Sequence, residues 1–93
     1  MIKSLKDIAT EDVFSGERPT GLPSEIIPRA RRKLFALDAA MRIEDLRTPP
    51  GNRLHALKGD RNGQFAICIN DQWRICFTFE EGCAYDVQIC DYH

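Results

Sequence analysis

The 93-residue chain contains two histidines, His55 and His93. Lys58 follows His55 by three positions, Arg74 alternates with Trp73 and Ile75, and the chain closes on Asp91, Tyr92 and His93. These side chains match what is needed to cut a ribose-phosphate chain by proton transfer. The 2′-hydroxyl must lose a proton and attack phosphorus, the leaving 5′-oxygen must gain one, and charge on the phosphoryl oxygens must be stabilised. An imidazole, with an ordinary pKa of about 6.5, can serve either transfer near neutral pH. Lys58 and Arg74 are candidate phosphate contacts, the arginine with a bidentate fork. Tyr92 offers a hydroxyl for proton relay or a ring for base stacking, and Asp91 either orients an imidazole or acts as a base. The same residues also have plain structural explanations: an exposed strand histidine, a fraying end, and a surface ion pair between Arg74 and Asp86. Strand parity sets a condition. Asp91 and His93 alternate with the apolar set and Tyr92 with Gln88, so all three reach one site only if the strand ends or twists near Cys90.

The charge around these residues is unevenly spread. The net charge is −1, but residues 29–74 carry ten basic and five acidic groups, whereas residues 75–93 carry four acidic groups and no basic one. The basic middle is either the footprint for a polyanion or a solvated helix face. Cys68, Cys76, Cys83 and Cys90 lack the short C-x2–4-C spacing of a zinc site, and Cys68 and Cys76 fall in apolar strand patterns. They are expected as reduced packing residues, with no metal and no cofactor. The opening MIKSLKDIATEDVF is neither a signal peptide nor an anchor, and no segment is apolar for long enough to span a membrane, so a cytoplasmic protein without membrane contact is expected.

One domain, residues 1–93, must position the candidate groups. Residues 1–8 are assigned a short strand and 10–15 a helical turn capped by Thr10. The Gly- and Pro-rich stretch 16–23 is a loop. Ser24 is placed as the cap of a helix whose apolar stripe is Ile26, Ile27, Ala30, Leu34, Leu37 and Met41, with Pro28 early enough to be tolerated. A second short helix covers 43–47 with Ile43 and Leu46 inward, and TPPGN breaks the helical part. Strands follow at 53–58, 64–70, 73–79 and 84–92. Trp73, Ile75, Phe77 and Phe79 share one face, and Tyr85, Val87 and Ile89 line the same side of the last strand. The opposite face carries Gln64, Arg74, Thr78, Asp86 and Gln88. Helices first and a meander second imply an α+β domain with helices on one face of an antiparallel sheet.

Taken together, PSEIIPRARRKLFALDAA, LHALKGDRNG, NDQWRICF and the terminal DYH resemble the HigB (plasmid-maintenance killer) branch of the RelE toxin superfamily, over nearly the whole chain and in the same order. The resemblance implies a RelE-like microbial ribonuclease fold and ribosome-dependent, metal-independent cleavage of mRNA. It implies a HigA-like helix-turn-helix antitoxin as partner, with operator DNA bound only through the toxin–antitoxin complex. It also implies catalytic roles for His55, Asp91, Tyr92 and His93 and phosphate contacts at Lys58 and Arg74. The slightly acidic net charge departs from the commonly basic relatives. Fold does not fix function in this superfamily. The alternatives are a non-catalytic ParE-like gyrase inhibitor, against which the terminal D-Y-H argues, and a degenerate member acting as antitoxin-binding corepressor.

Overall fold

The computed structural model describes residues 1–91; the assignments made for Tyr92 and His93 fall outside the described residues. Helix α1 (Ile8–Ser15) begins because the Asp7 side chain, on an extended N-cap residue, accepts the Thr10 N–H at 2.9 Å. It stops at Gly16, whose φ of 89° is a left-handed cap, with the Glu17 N–H returning to the Asp12 carbonyl at 2.8 Å. A 3₁₀ turn (Ser24–Ile26) leads into α2 (Ile27–Ala39), with Pro28 in its first turn, where its missing N–H costs no bond. Shorter 3₁₀ turns cover Ile43–Arg47, Pro50–Asn52 and Gly59–Arg61.

The sheet is a meander of β1 (His55–Ala56), β2 (Phe65–Cys68), β3 (Trp73–Glu80) and β4 (Cys83–Asp91), all pairs antiparallel and in the order β1-β2-β3-β4. Ile67, Ile75, Phe77, Val87 and Ile89 meet Val13 of α1 and Ala30, Leu34 and Leu37 of α2 in one core. This is the expected α+β layering, with the helices on one face.

Several local expectations are corrected. Residues 1–8 form no strand; Ile2 and Leu5 instead make isolated parallel bridges to Ala84 and Val87 along the free edge of β4. Asp7, not Thr10, caps α1. Thr10 is buried, and its hydroxyl accepts the Ile89 N–H at 3.0 Å. Ser24 makes no side-chain cap; it opens the 3₁₀ turn. Met41 leaves the apolar stripe and is 78% exposed, because α2 ends at Ala39 and Ala40 turns extended, taking the buried place itself. Strand 53–58 shrinks to two residues after Arg53, which takes a left-handed φ of 48°.

Tyr85 is exposed, and Ala84 is the core residue at that end of β4. A register shift between Cys76 and Thr78, together with a φ of 52° at Asp86, forms a bulge that inserts one residue and flips the alternation before Val87. The opposite face is also less polar than expected: Ala66, Cys68 and Cys76 are buried there, and Arg74 is only 8% exposed. All four cysteines are free, and Cys68 and Cys76 pack as small apolar groups.

Candidate active site

His55 is exposed on β1 at the edge of the sheet. Its Nδ1 lies 2.8 Å from the Arg53 carbonyl. A carbonyl only accepts, so Nδ1 carries the hydrogen and Nε2 of the neutral ring keeps its lone pair for proton transfer. Lys58 follows β1 as the exposed cap of the 3₁₀ turn Gly59–Arg61, on a segment held by the Leu57 N–H to the Gln64 carbonyl at 2.8 Å.

Register assigns the faces. His55 pairs with Ala66, Ala66 with Cys76, and Cys76 with Gln88. The next row joins Cys68, Arg74 and Cys90. Directly opposite residues share a face, so His55 and Arg74 lie on the same side, away from the helices, two strands apart and about 12 Å between Cα atoms. Arg74 Nη1 donates to the Asn70 and Trp73 carbonyls, which anchors the guanidinium at the β2–β3 turn. The surface ion pair with Asp86 does not fit this arrangement: Asp86 sits at the bulge, four residues and about 13 Å along β4 from the partner of Arg74.

Asp91 is the cross-strand partner of Trp73, so β4 stays paired beyond Cys90. By register it belongs to the helix-facing side, three strands from His55 and about 17 Å away. Its Oδ2 accepts from Gln72 Nε2 at 3.2 Å. The described residues therefore bring His55 and Arg74 to one side of the sheet, put Lys58 on the segment that leaves β1 three residues after His55, and hold Asp91 at the sheet's end. Tyr92 and His93 lie outside the described residues.

Three contributors were not apparent in the sequence. Gln72 steadies Asp91, a role that its place within NDQWRICF did not disclose. Arg61 donates to Gln64 Oε1 at 3.1 Å and places its charge near Cys90. Hydrogen bonding to the adjacent Cys76 thiol, reinforced by Arg61, pulls the Cys90 thiol down to about 7, while the same contact and burial push Cys76 up. The diagonal approach of Cys76 and Cys90 depends on strand register, which spacing along the chain does not disclose. Among the described residues no cluster of His, Cys, Asp or Glu could hold a metal ion, and no helix is long and apolar enough to cross a membrane.

Residues 3–93 match the family described as the RelE-like toxin of type II toxin–antitoxin system HigB. The chain is 38% identical over 93 residues to "Endoribonuclease HigB" of Proteus vulgaris, covering 100% of both chains. It is 37% identical over 90 residues to "Toxin HigB-1" of Vibrio cholerae, covering 96% of this chain and 95% of the relative. In fold it is similar to a YafQ mutant from E. coli (TM-score 0.66, 10% identity, 98% of this chain and 91% of the other). It is likewise similar to a chain of the YoeB–YefM complex from Staphylococcus aureus (TM-score 0.62, 18% identity, 100% and 95%). A family match across nearly the whole chain, two full-length relatives above 30% identity and the helix-on-meander fold agree: the chain belongs to the HigB family of RelE-like toxins of type II toxin–antitoxin systems.

Proposed function

We propose that this toxin is an endoribonuclease that cuts ribosome-bound mRNA in the cytoplasm by acid–base chemistry, without a metal. The observation that carries the reading is the shared sheet face of His55 and Arg74, with the His55 tautomer fixed by the Arg53 carbonyl and Lys58 three residues further along the same segment. The similarity to Endoribonuclease HigB of Proteus vulgaris supports the same reaction class.

In the proposed step a base takes the 2′-hydroxyl proton, the 2′-oxygen bonds to phosphorus, and the phosphorus–5′-oxygen bond breaks as an acid protonates the leaving oxygen. Lys58 and Arg74 offset charge on the phosphoryl oxygens. Asp91 or His93 helps generate the 2′-alkoxide, His55 assists proton transfer or phosphate stabilisation, and Tyr92 relays a proton or stacks on a base. The Gln72–Asp91 hydrogen bond, which holds Asp91 at the end of the sheet, supports a role for that carboxylate.

Membership of a type II system implies an antitoxin partner, and the similar YoeB chain was solved in complex with YefM. The proposed antitoxin is a HigA-like helix-turn-helix protein, with operator DNA reached only through the complex.

The test is mapping of mRNA 5′ ends after induction, with and without translation. Cuts clustered in frame with codons, and lost when translation is blocked, are expected. Double-strand DNA breaks with intact mRNA would replace this reading with gyrase inhibition. Intact mRNA and DNA, with retained antitoxin binding, would replace it with a corepressor.

A further inference from the structure

We propose that a basic trough along α2 is a docking site for the phosphodiester backbone of an RNA strand, separate from the groups that cut it. The proposal rests on the ribonuclease reading and extends it to how the strand is held.

Two adjoining hollows, of about 290 and 260 Å³, share Arg29 and Arg32 as lining residues. One runs to Ile69 and Asn70 at the β2–β3 turn, and the other runs to Lys33, Pro49 and Asn52. Arg29, Arg32 and Lys33 stand at i, i+3 and i+4, which puts all three cations on one face of the helix. Glu25, at the turn end, is the acid among the lining residues.

Two of these cations are held by neutral acceptors. Arg29 Nη1 donates to the Ile69 carbonyl at 3.2 Å. Lys33 Nζ donates to Asn52 Oδ1, and Asn52 is buried with its Nδ2 bonded to the Leu46 carbonyl at 3.0 Å and the Thr48 carbonyl at 3.3 Å. The carboxamide therefore cannot swing away, and Lys33 is presented at the trough. Its charge is uncomfortable there: burial and then Arg29 hold its pKa below the ordinary lysine value, Cys68 opposes them, and Arg32 adds the smallest lowering influence. Like charges gathered on one helix face cost stability in the free protein, and a polyanion relieves that cost.

The trough's position decides which polyanion. It ends on the turn whose next carbonyl, at Asn70, is gripped by Arg74. A strand lying along Lys33, Arg32 and Arg29 is thereby led over the turn to Arg74 and the end of β4. An acidic protein segment would match the charge but has no reason to continue to that end.

The test uses a short RNA with 2′-O-methyl riboses, whose 2′-oxygens cannot attack, so binding is read without cutting. Anisotropy titrations run between about 50 and about 200 mM salt. Arg29→Gln/Arg32→Gln should weaken binding about tenfold and reduce the salt slope by about 1.4, at about 0.7 per charge on single strands. The single Arg32→Gln, at an exposed position that leaves the Arg29 bond intact, should reduce the slope by about 0.7. Lys3→Gln, an equal charge change on the edge segment beside β4, should leave both unchanged. Wild-type failure to bind, unaltered affinity and slope in the double variant, or an equal loss from Lys3→Gln would overturn the proposal. So would variants that keep RNA binding but lose the antitoxin. His55→Ala separates the two claims: if it still cuts mRNA as the wild type does, the catalytic reading fails while the trough stands on the binding titrations.

Discussion

The Thr10 hydroxyl accepts the Ile89 N–H at 3.0 Å inside the core, and this bond fastens α1 to β4 two residues before the terminal trio begins. Thr10→Val keeps the shape but leaves a buried donor unmet, a loss of about 1–3 kcal/mol. Urea unfolding should show that loss, and Thr10→Ser should recover most of it. Equal stability for valine and threonine would mean that the bond contributes nothing.

His55 is exposed and outside the core, so His55→Ala should leave the unfolding midpoint unchanged. Removal of a true acid or base should slow mRNA cleavage about 10²–10⁴-fold. Cleavage of programmed ribosomes by purified protein measures this, and a loss below about threefold would remove His55 from the proton-transfer steps.

Cys90 should behave as a reactive thiol. Its alkylation by iodoacetamide should rise with pH through a midpoint near 7, because the thiolate is the nucleophile and the Cys76 hydrogen bond and Arg61 charge favour it. Cys76→Ala and Arg61→Gln should each move that midpoint upward. Peptide-resolved mass spectrometry distinguishes Cys90 from the other three cysteines, and a midpoint unmoved by both substitutions would contradict the assigned cause.

Lys33 offers a trade between stability and binding. Its lowered pKa means that the charged form is less favourable in the folded chain than in the unfolded one, so at neutral pH the charge opposes folding. The effect fades only as pH rises through the folded value. Lys33→Gln keeps a donor for Asn52 and should melt at or above the wild-type temperature at pH 7, with any difference shrinking as salt rises. A clearly lower melting temperature would show that the ammonium stabilises its site.

Much of this architecture was legible because periodicity survived folding. Ile27, Ala30, Leu34 and Leu37 read as one helical stripe, and Ile75 and Phe77 as one strand face. Signals failed where one residue changed the phase. The bulge at Asp86 exchanged Tyr85 for Ala84, and nothing in AYDVQ announces an inserted residue. Asp7 displaced Thr10 as cap because either can accept a helix N–H, and only the tertiary partner of Thr10, Ile89, decides between them. The candidate site was legible as residue types. Its placement was not, because the separation of Asp91 from His55 follows from strand order and register, which are long-range properties.

The chain's first six residues have one more effect, through the hydrogen bonds they make with β4. The Lys3 and Lys6 N–H groups donate to the Ala84 and Val87 carbonyls at 2.8 Å, and the Ala84 and Val87 N–H groups donate to Met1 and Ser4 at 2.8 and 3.1 Å. That border of the sheet is closed to newcomers. The opposite border is β1, which consists of His55 and Ala56, and a partner that extends the sheet there would lie beside the imidazole. Such a partner would cover the imidazole by occupying the hydrogen-bonding positions beside it.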